Sequence, residues 1–135
     1  MTAVDTNILV RLLAGDDPKQ TAEAKAIVAA GRVWVAKTVL LETAWVLRRE
    51  YGLDKASIRE ALDQLLRLDN VCVEDEPAVV EALALAAHGI DFADAFHLSS
   101  RPPGSLFLSF DNAFVQRARR AGIAGVAGVS DYRRM

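Results

Sequence analysis

The sequence has few of the residues that build disulfide-rich, membrane-spanning or fibrous proteins. Its one cysteine, Cys72, leaves no partner for an internal disulfide, so nothing requires an oxidising compartment. The longest apolar runs, such as Val39–Leu41 and Ala82–Ala87, fall far short of the roughly 20 residues that cross a bilayer. No heptad pattern is sustained, and no basic stretch leads into an apolar one at Met1. These absences predict a soluble, cytoplasmic protein.

Length and composition are typical of one globular domain. The 135 residues are 52% apolar and 25% charged, which excludes intrinsic disorder. A chain of this length buries around two-thirds of its unfolded surface and can fold without disulfide bonds or structural metal ions. Internal repeats, low-complexity tracts and proline- or serine-rich linkers are all lacking. We therefore expect a single domain that spans residues 1–135.

Positive charge is concentrated at the carboxyl end of the chain. The net charge is −2, but residues 112–135 carry +4 and the preceding 111 residues carry −6. Twelve of the 16 basic residues are arginine, whose planar guanidinium suits phosphate oxygens. Arg117, Arg119 and Arg120 are therefore weak candidates for contacts to nucleic acid. A solubilising surface explains the same charges, and charge alone favours that interpretation.

The order of apolar runs and helix-terminating residues predicts an α/β fold. Asp17-Pro18, for example, supplies an N-cap and a proline at the first helical position, and Gly31 ends that helix. Helices between all strands imply parallel pairing, hence a three-layer sandwich with a short parallel sheet flanked by helices. The predicted strands are Thr2–Val4, Val33–Ala36, Val71–Val73, Leu106–Ser109 and Val126–Val129. The predicted helices run from Thr6 to Ala14, Asp17 to Gly31, Thr38 to Tyr51, Asp54 to Leu68, Pro77 to Gly89, Asp91 to Ser99 and Asn112 to Gly122.

Acidic residues fall where the predicted strands end. Asp5 follows the first strand, Asp111 follows the fourth, and Glu42 lies early in the helix after the second. Asp91 and Asp94 share one face at the start of the helix before the fourth strand. Ligands of parallel sheets bind outside the carboxyl ends of the strands, so these side chains are expected to converge there.

Each acid also has a purely structural interpretation. Asp5 and Asp111, taken singly, are best explained as helix N-caps, and Asp91 and Asp94 gain from the positive end of a helix. Glu42 is the only charge between Lys37 and Arg48, and burying an unpaired carboxylate on so apolar a helix is costly. A functional role is therefore favoured for Glu42, although a salt bridge from elsewhere is an alternative.

Convergence of these carboxylates favours a divalent cation. Neighbouring carboxylates raise one another's pKa, and a cation removes that cost; all-oxygen ligands suit Mg²⁺ or Mn²⁺. The sequence has no Cys/His set with zinc spacing, no nucleophile elbow and no glycine-rich phosphate loop. Trp34, Trp45 and Phe110 lie in apolar segments and are predicted to be core residues rather than base-stacking platforms.

Four motifs resemble those of PIN-domain nucleases, and among these the VapC toxins of bacterial toxin–antitoxin pairs. The resemblance covers residues 2–130 and includes motif order and spacing. Ser109 stands where a threonine is more usual and keeps the hydroxyl. The motifs are Asp5-Thr6-Asn7, Leu41-Glu42, the segment from Asp91 to Leu98 (DFADAFHL), and the segment from Ser109 to Phe114 (SFDNAF).

The resemblance implies an Mg²⁺- or Mn²⁺-dependent endoribonuclease that hydrolyses structured RNA with a metal-activated water. It places the catalytic acids at Asp5, Glu42, Asp94 and Asp111; Asp5, Asp94 and Asp111 would hold the metal, and Glu42 would orient the water. It further implies a homodimer and a cognate VapB-like antitoxin. Supporting positions around the acids would be Thr6, Asn7, Asp91 and Ser109.

Two other classes of function compete with a nuclease. An Mg²⁺-dependent phosphatase or a phospho-receiver domain also places an aspartate after the first strand. The phosphatase needs a second aspartate where this chain has Asn7, and both need a late lysine, whereas none follows Lys55. A catalytically silent module that binds RNA or protein is the other alternative, for which the apolar helix around Ala78–Ala87 would supply a surface.

Overall fold

A computed structural model of the chain describes residues 1–134, in which helices alternate with short strands. The strands are β1 (Thr2–Ala3), β2 (Val33–Val35), β3 (Val71–Val73), β4 (Phe107–Ser109) and β5 (Val126–Gly128). The helices are α1 (Thr6–Ala14), α2 (Pro18–Ala30), α3 (Lys37–Arg49), α4 (Lys55–Leu66), α5 (Glu76–Ala86), α6 (Phe92–Ser99), α7 (Asn112–Arg120) and α8 (Val129–Tyr132). The predicted order of elements is confirmed, with α8 added at the end.

Aspartate side chains cap the starts of four helices, α1, α2, α4 and α7. Asp17 accepts a hydrogen bond from the Gln20 amide at the start of α2, and Asp54 accepts one from Ser57 at the start of α4. The predicted start of α3 at Thr38 was wrong by one residue. That helix begins at Lys37, after Ala36, whose side chain cannot cap it; instead the Lys37 amide donates a hydrogen bond to Glu74 Oε1 at 2.9 Å.

All strand pairs are parallel, as predicted, and the α/β class is confirmed. Strand β2 lies between β1 and β3, and Trp34 is in register with Ala3 and Cys72. Strand β4 pairs with β5, with Leu108 opposite Ala127. Hydrogen bonding thus divides the five strands between two sheets, whereas the sequence predicted one. Strands of two or three residues form few ladder hydrogen bonds, so strand order is poorly encoded in any one of them.

The chain forms two compact units, one from Met1 to Val79 and one from Val80 onward. In the first, α1, α3 and α4 bury large aliphatic side chains, among them Leu9, Leu40, Leu47 and Leu62. In the second, the core includes Ile90, Phe96, Leu98, Phe114 and Val126. No helix within residues 1–134 is both long and apolar enough to cross a membrane.

Candidate active site

In the first unit, Asp5 and Glu42 border one depression, which we name the acidic cleft. Asp5 ends the connection from β1 to α1, and Glu42 lies in the middle of α3. The buried Thr6 hydroxyl donates a hydrogen bond to Glu42 Oε1 at 2.5 Å. The fold therefore gathers two acids 37 residues apart in the sequence. The cleft has a volume of about 360 Å³ and is lined by Asp5, Thr6, Asn7, Val39, Glu42 and Val46.

Asp5 caps α1 as well as facing the acidic cleft. Its Oδ1 accepts a hydrogen bond from the Ile8 amide at 3.2 Å, so the structural interpretation of this residue holds too. Asp5 and Asn7 also border a second depression of about 310 Å³, the helix groove between α1 and α2. Other residues lining the helix groove include Ile8, Arg11, Gln20, Glu23 and Ile27.

The energetic argument made for Glu42 from sequence was wrong. Glu42 is exposed, so its charge is hydrated and costs little, although its neighbours Leu41 and Thr43 are partly or fully buried. The apolar run around Glu42 reflects the inner face of α3, whose Leu40, Ala44 and Leu47 are buried. Its place in the acidic cleft, together with the bond from Thr6, is what distinguishes this glutamate.

In the second unit, Asp94 lies among other charged groups and is half-buried. Burial raises the pKa of the Asp94 carboxyl, and the nearby carboxylates of Asp91 and Asp111 raise it further. His97 and Arg117 act in the opposite direction. The ionised form of Asp94 is therefore disfavoured in the folded chain, and a bound cation would relieve that cost.

Asp111 is positioned by two hydrogen bonds at the end of β4. Its amide donates to Ser109 Oγ at 2.9 Å, and its Oδ1 accepts from the Phe114 amide at 3.0 Å, which caps α7. Ser109 thus supports the predicted acid directly. Asp91, the N-cap residue of α6, is exposed and makes no side-chain capping bond.

The chemistry of these donors fits a hard divalent cation. The acids supply only carboxylate oxygens, which Mg²⁺ and Mn²⁺ prefer, and the pKa of Asp94 is raised first by burial and then by the neighbouring carboxylates. Within residues 1–134, no group of three or more His, Cys, Asp or Glu side chains has spacing suited to hold a metal ion. The convergence of Asp5, Glu42, Asp94 and Asp111 on one ion therefore stays a prediction.

The three arginines singled out on α7 differ in their surroundings. Arg117 lies close enough to Asp94 to lower its pKa, which places a guanidinium beside the carboxylates of the second unit. Arg119 instead forms an ion pair with Asp131 at 3.1 Å. Arg120 is exposed at the end of the helix. Arg117 is thus the strongest of the three as a candidate for phosphate contacts.

Two aromatic residues predicted to be buried are exposed instead. Trp45 on α3 is 54% exposed and Phe110, next to Asp111, is 86% exposed. Both predictions failed because an apolar segment shows that some face is buried without showing which residues lie on the other face. Trp34, on β2, is half-buried.

A polar network beside the helix groove was also missed by sequence reasoning. Arg11 donates to Asp16, to the Tyr51 hydroxyl at 2.9 Å and to Gln20, while Tyr51 donates to Asp16 at 2.9 Å. The network joins α1, the following loop, α2 and the turn after α3. Its members are separated by up to 40 residues, and no local pattern in the sequence marks them.

These features define an α/β protein with acidic residues at the carboxyl ends of parallel strands. The PIN domain family model matches residues 2–119, and the chain belongs to this family, as the motifs predicted. Among solved structures, the chain is similar to VapC20 of Mycobacterium tuberculosis, described as a sarcin-ricin loop cleaving toxin. Sequence identity is 22%, the TM-score is 0.44, and the alignment covers 91% of this chain and 85% of that one. No curated protein matches the sequence.

Proposed function

We propose that this PIN-domain protein is a metal-dependent endoribonuclease, the toxin of a toxin–antitoxin pair, which hydrolyses structured RNA in the cytoplasm. Residues 1–135 would form a single nuclease domain. The observation that carries the proposal is the acidic cleft, where Asp5 and Glu42 of two PIN motifs border the same depression. The crowded carboxylate of Asp94 adds the electrostatic demand for a cation.

Within the proposal, each residue has a defined task. Asp5, Asp94 and Asp111 would hold Mg²⁺ or Mn²⁺, with Ser109 orienting Asp111. Such an ion lowers the pKa of water and neutralises charge on the phosphate. Glu42, itself held by Thr6, would orient the attacking water. Asn7, at the rim of both depressions, would hydrogen-bond the substrate near Asp5.

The test is cleavage of RNA by the purified protein under controlled metal conditions. Total cellular RNA would be incubated with Mg²⁺, Mn²⁺ or EDTA, and new 5′ ends mapped. Cleavage is expected only with the cations. Asp5→Asn should abolish it, and Glu42→Gln should reduce it strongly. Cleavage that persists in EDTA would refute metal dependence, and RNA binding without cleavage would favour the silent binding module.

A matched control separates chemistry from helix capping. Asp5 and Asp17 both cap helices through an Oδ1 that accepts a backbone amide, and asparagine caps about as well as aspartate. Asp5→Asn and Asp17→Asn should therefore both fold, with similar unfolding midpoints. Only Asp5→Asn should lose cleavage. Equal losses in the two variants would show that the acid at position 5 has no special role.

The proposed partners follow from the same assignment. We expect a homodimer, and a VapB-like antitoxin that inhibits cleavage when it is added in equimolar amounts. Sedimentation of the purified chain measures the first property. Co-expression with the short open reading frame next to the gene tests inhibition by the antitoxin, which should rescue growth.

A further inference from the structure

The outer face of α3 carries a tryptophan that the fold does not bury. Trp45 is 54% exposed, whereas Leu40, Ala44 and Leu47 on the inner face of the same helix are at most 1% exposed. An indole presents a large apolar surface and a π face, and such residues are enriched where proteins bind partners. Packing in the core of the first unit therefore does not explain why a tryptophan stands at position 45.

An arginine lies over the ring of this tryptophan. The Arg49 guanidinium carbon is 5.2 Å from the centre of the Trp45 ring, a cation–π arrangement one helical turn apart. None of the ion pairs found in residues 1–134 involves Arg49. The adjacent Arg48 differs, since its charge acts on the carboxyl of Asp54. The charge of Arg49 is therefore available to an external anion.

The pair lies on the same face of α3 as the acid of the proposed site. Glu42, Trp45 and Arg49 are at positions i, i+3 and i+7, which share one face of a helix. At 1.5 Å per residue, Trp45 is about 4.5 Å and Arg49 about 10.5 Å along the helix axis from Glu42. Val46, beside Trp45 in the sequence, lines the acidic cleft. The aromatic ring and the cation thus follow Glu42 along the outer face of α3, next to the residues that line the cleft.

We propose that Trp45 and Arg49 form a nucleotide-binding platform beside the acidic cleft, on which a base of the RNA stacks while the guanidinium holds its phosphate. This inference rests on the proposed nuclease function. Single-stranded RNA offers both a π face and an anion, matching the two groups. Covering the same face with an apolar protein surface would desolvate an unpaired guanidinium, which is costly.

The sequence provides a direct reporter of stacking. Trp34 and Trp45 are the only tryptophans, so a Trp34→Phe variant leaves Trp45 as the sole indole. In an Asp5→Asn background with Mg²⁺, which prevents cleavage, a short single-stranded oligoribonucleotide should quench its fluorescence saturably. A Trp45→Phe variant, in which only Trp34 emits, should show little quenching.

Kinetics test the role of the platform in the reaction. Trp45→Ala should raise the KM for RNA about 10-fold and leave kcat within about twofold, because the platform binds substrate without touching the reacting atoms. Trp45→Tyr should restore most of the loss. Arg49→Ala should weaken RNA binding more than its neighbour control Arg48→Ala.

The results that overturn the platform differ from those that overturn the nuclease. If the wild-type protein cleaves RNA and Trp45→Ala leaves KM unchanged, the platform is wrong and the nuclease stands. A Trp45 signal that changes with protein concentration and not with RNA would instead identify a protein interface. If no RNA is cleaved but saturable quenching of Trp45 persists, the platform stands and the catalytic proposal fails.

Discussion

The hydroxyl of Thr6 donates to Oε1 of Glu42 and so ties the start of α1 to the middle of α3. Thr6 is buried, whereas Glu42 is exposed. One oxygen of an exposed glutamate is thereby held at the wall of the acidic cleft. The bond links local packing to the orientation of a group proposed to position the attacking water.

Replacing Thr6 tests this link. Thr6→Val keeps the shape of the side chain and removes the hydroxyl, so the unfolding free energy should fall by about 1 kcal/mol. The rate of RNA cleavage should fall about 10-fold, as is usual when a partner that orients an active-site ligand is lost. Thr6→Ser retains the donor and should keep most of the activity. Chemical denaturation and initial rates measure the two effects, and a fully active Thr6→Val would contradict the role given to this bond.

Asp94 should make the metal-free protein less stable at neutral pH. Because its folded-state pKa is raised above the ordinary 3.8, its contribution to stability is present below that value and is lost as pH rises through the folded pKa. Asp94→Asn should therefore raise the unfolding midpoint in EDTA at pH 7 by about 2 °C. The gain should shrink as pH falls toward 3.8.

The same variant separates repulsion from metal binding. Mg²⁺ should raise the midpoint of the wild-type protein and have a smaller effect on Asp94→Asn, because a ligand that binds only the folded state stabilises it. Thermal unfolding of the wild-type protein and of Asp94→Asn, each with and without Mg²⁺, measures both the repulsion and the metal binding. A wild-type chain that Mg²⁺ does not stabilise at any concentration would argue against a site at Asp94.

Arg117 and Arg119 form a matched pair for testing phosphate contacts on α7. Arg119 is engaged with Asp131, whereas Arg117 lies near Asp94. Arg117→Ala should weaken binding of RNA to an Asp5→Asn background and reduce the slope of log K against log salt by about 1. Arg119→Ala should change the slope less. Identical slopes for both variants would remove the distinction drawn between them.

The hydrogen-bond network around Tyr51 should make the stability of the fold depend on pH in the acidic range. The hydrogen bond from the Tyr51 hydroxyl is the largest cause that holds the pKa of Asp16 below its ordinary 3.8. The ionised Asp16 carboxylate therefore stabilises the fold above that pH, and this stabilisation is lost as the pH falls through the folded-state pKa. Tyr51→Phe should lower the unfolding midpoint at pH 7, and the two proteins should converge in strong acid. Tyr132→Phe, at an exposed position in α8, is the control and should have no such effect.

Local signals in the sequence were sufficient to predict most of the helices and strands. Asp17 and Asp54 cap helices where their side chains can reach an amide three residues ahead, and Gly15 adopts the left-handed conformation that ends α1. The four-residue α8 was not predicted, because a single turn carries too little periodicity to distinguish it from a loop. The end of β5 was accordingly placed at Val129, the residue at which α8 begins.

Contacts between distant segments were harder to predict. The order of the strands predicted that Asp5 and Glu42 lie near the same sheet edge, and both line the acidic cleft. The exposure of Trp45 and Phe110 depends on which helix or strand face stays uncovered, and that is decided by tertiary packing. The distribution of strands between two sheets likewise depends on pairing across the chain, which two or three β-residues cannot specify.

Asp5 and Asn7 border both the acidic cleft and the helix groove. A small molecule designed for either depression would meet the same aspartate, so inhibitors of two unrelated shapes should displace each other. Fragment screening could begin from the helix groove, where Ile8 and Ile27 offer apolar anchorage near the shared aspartate.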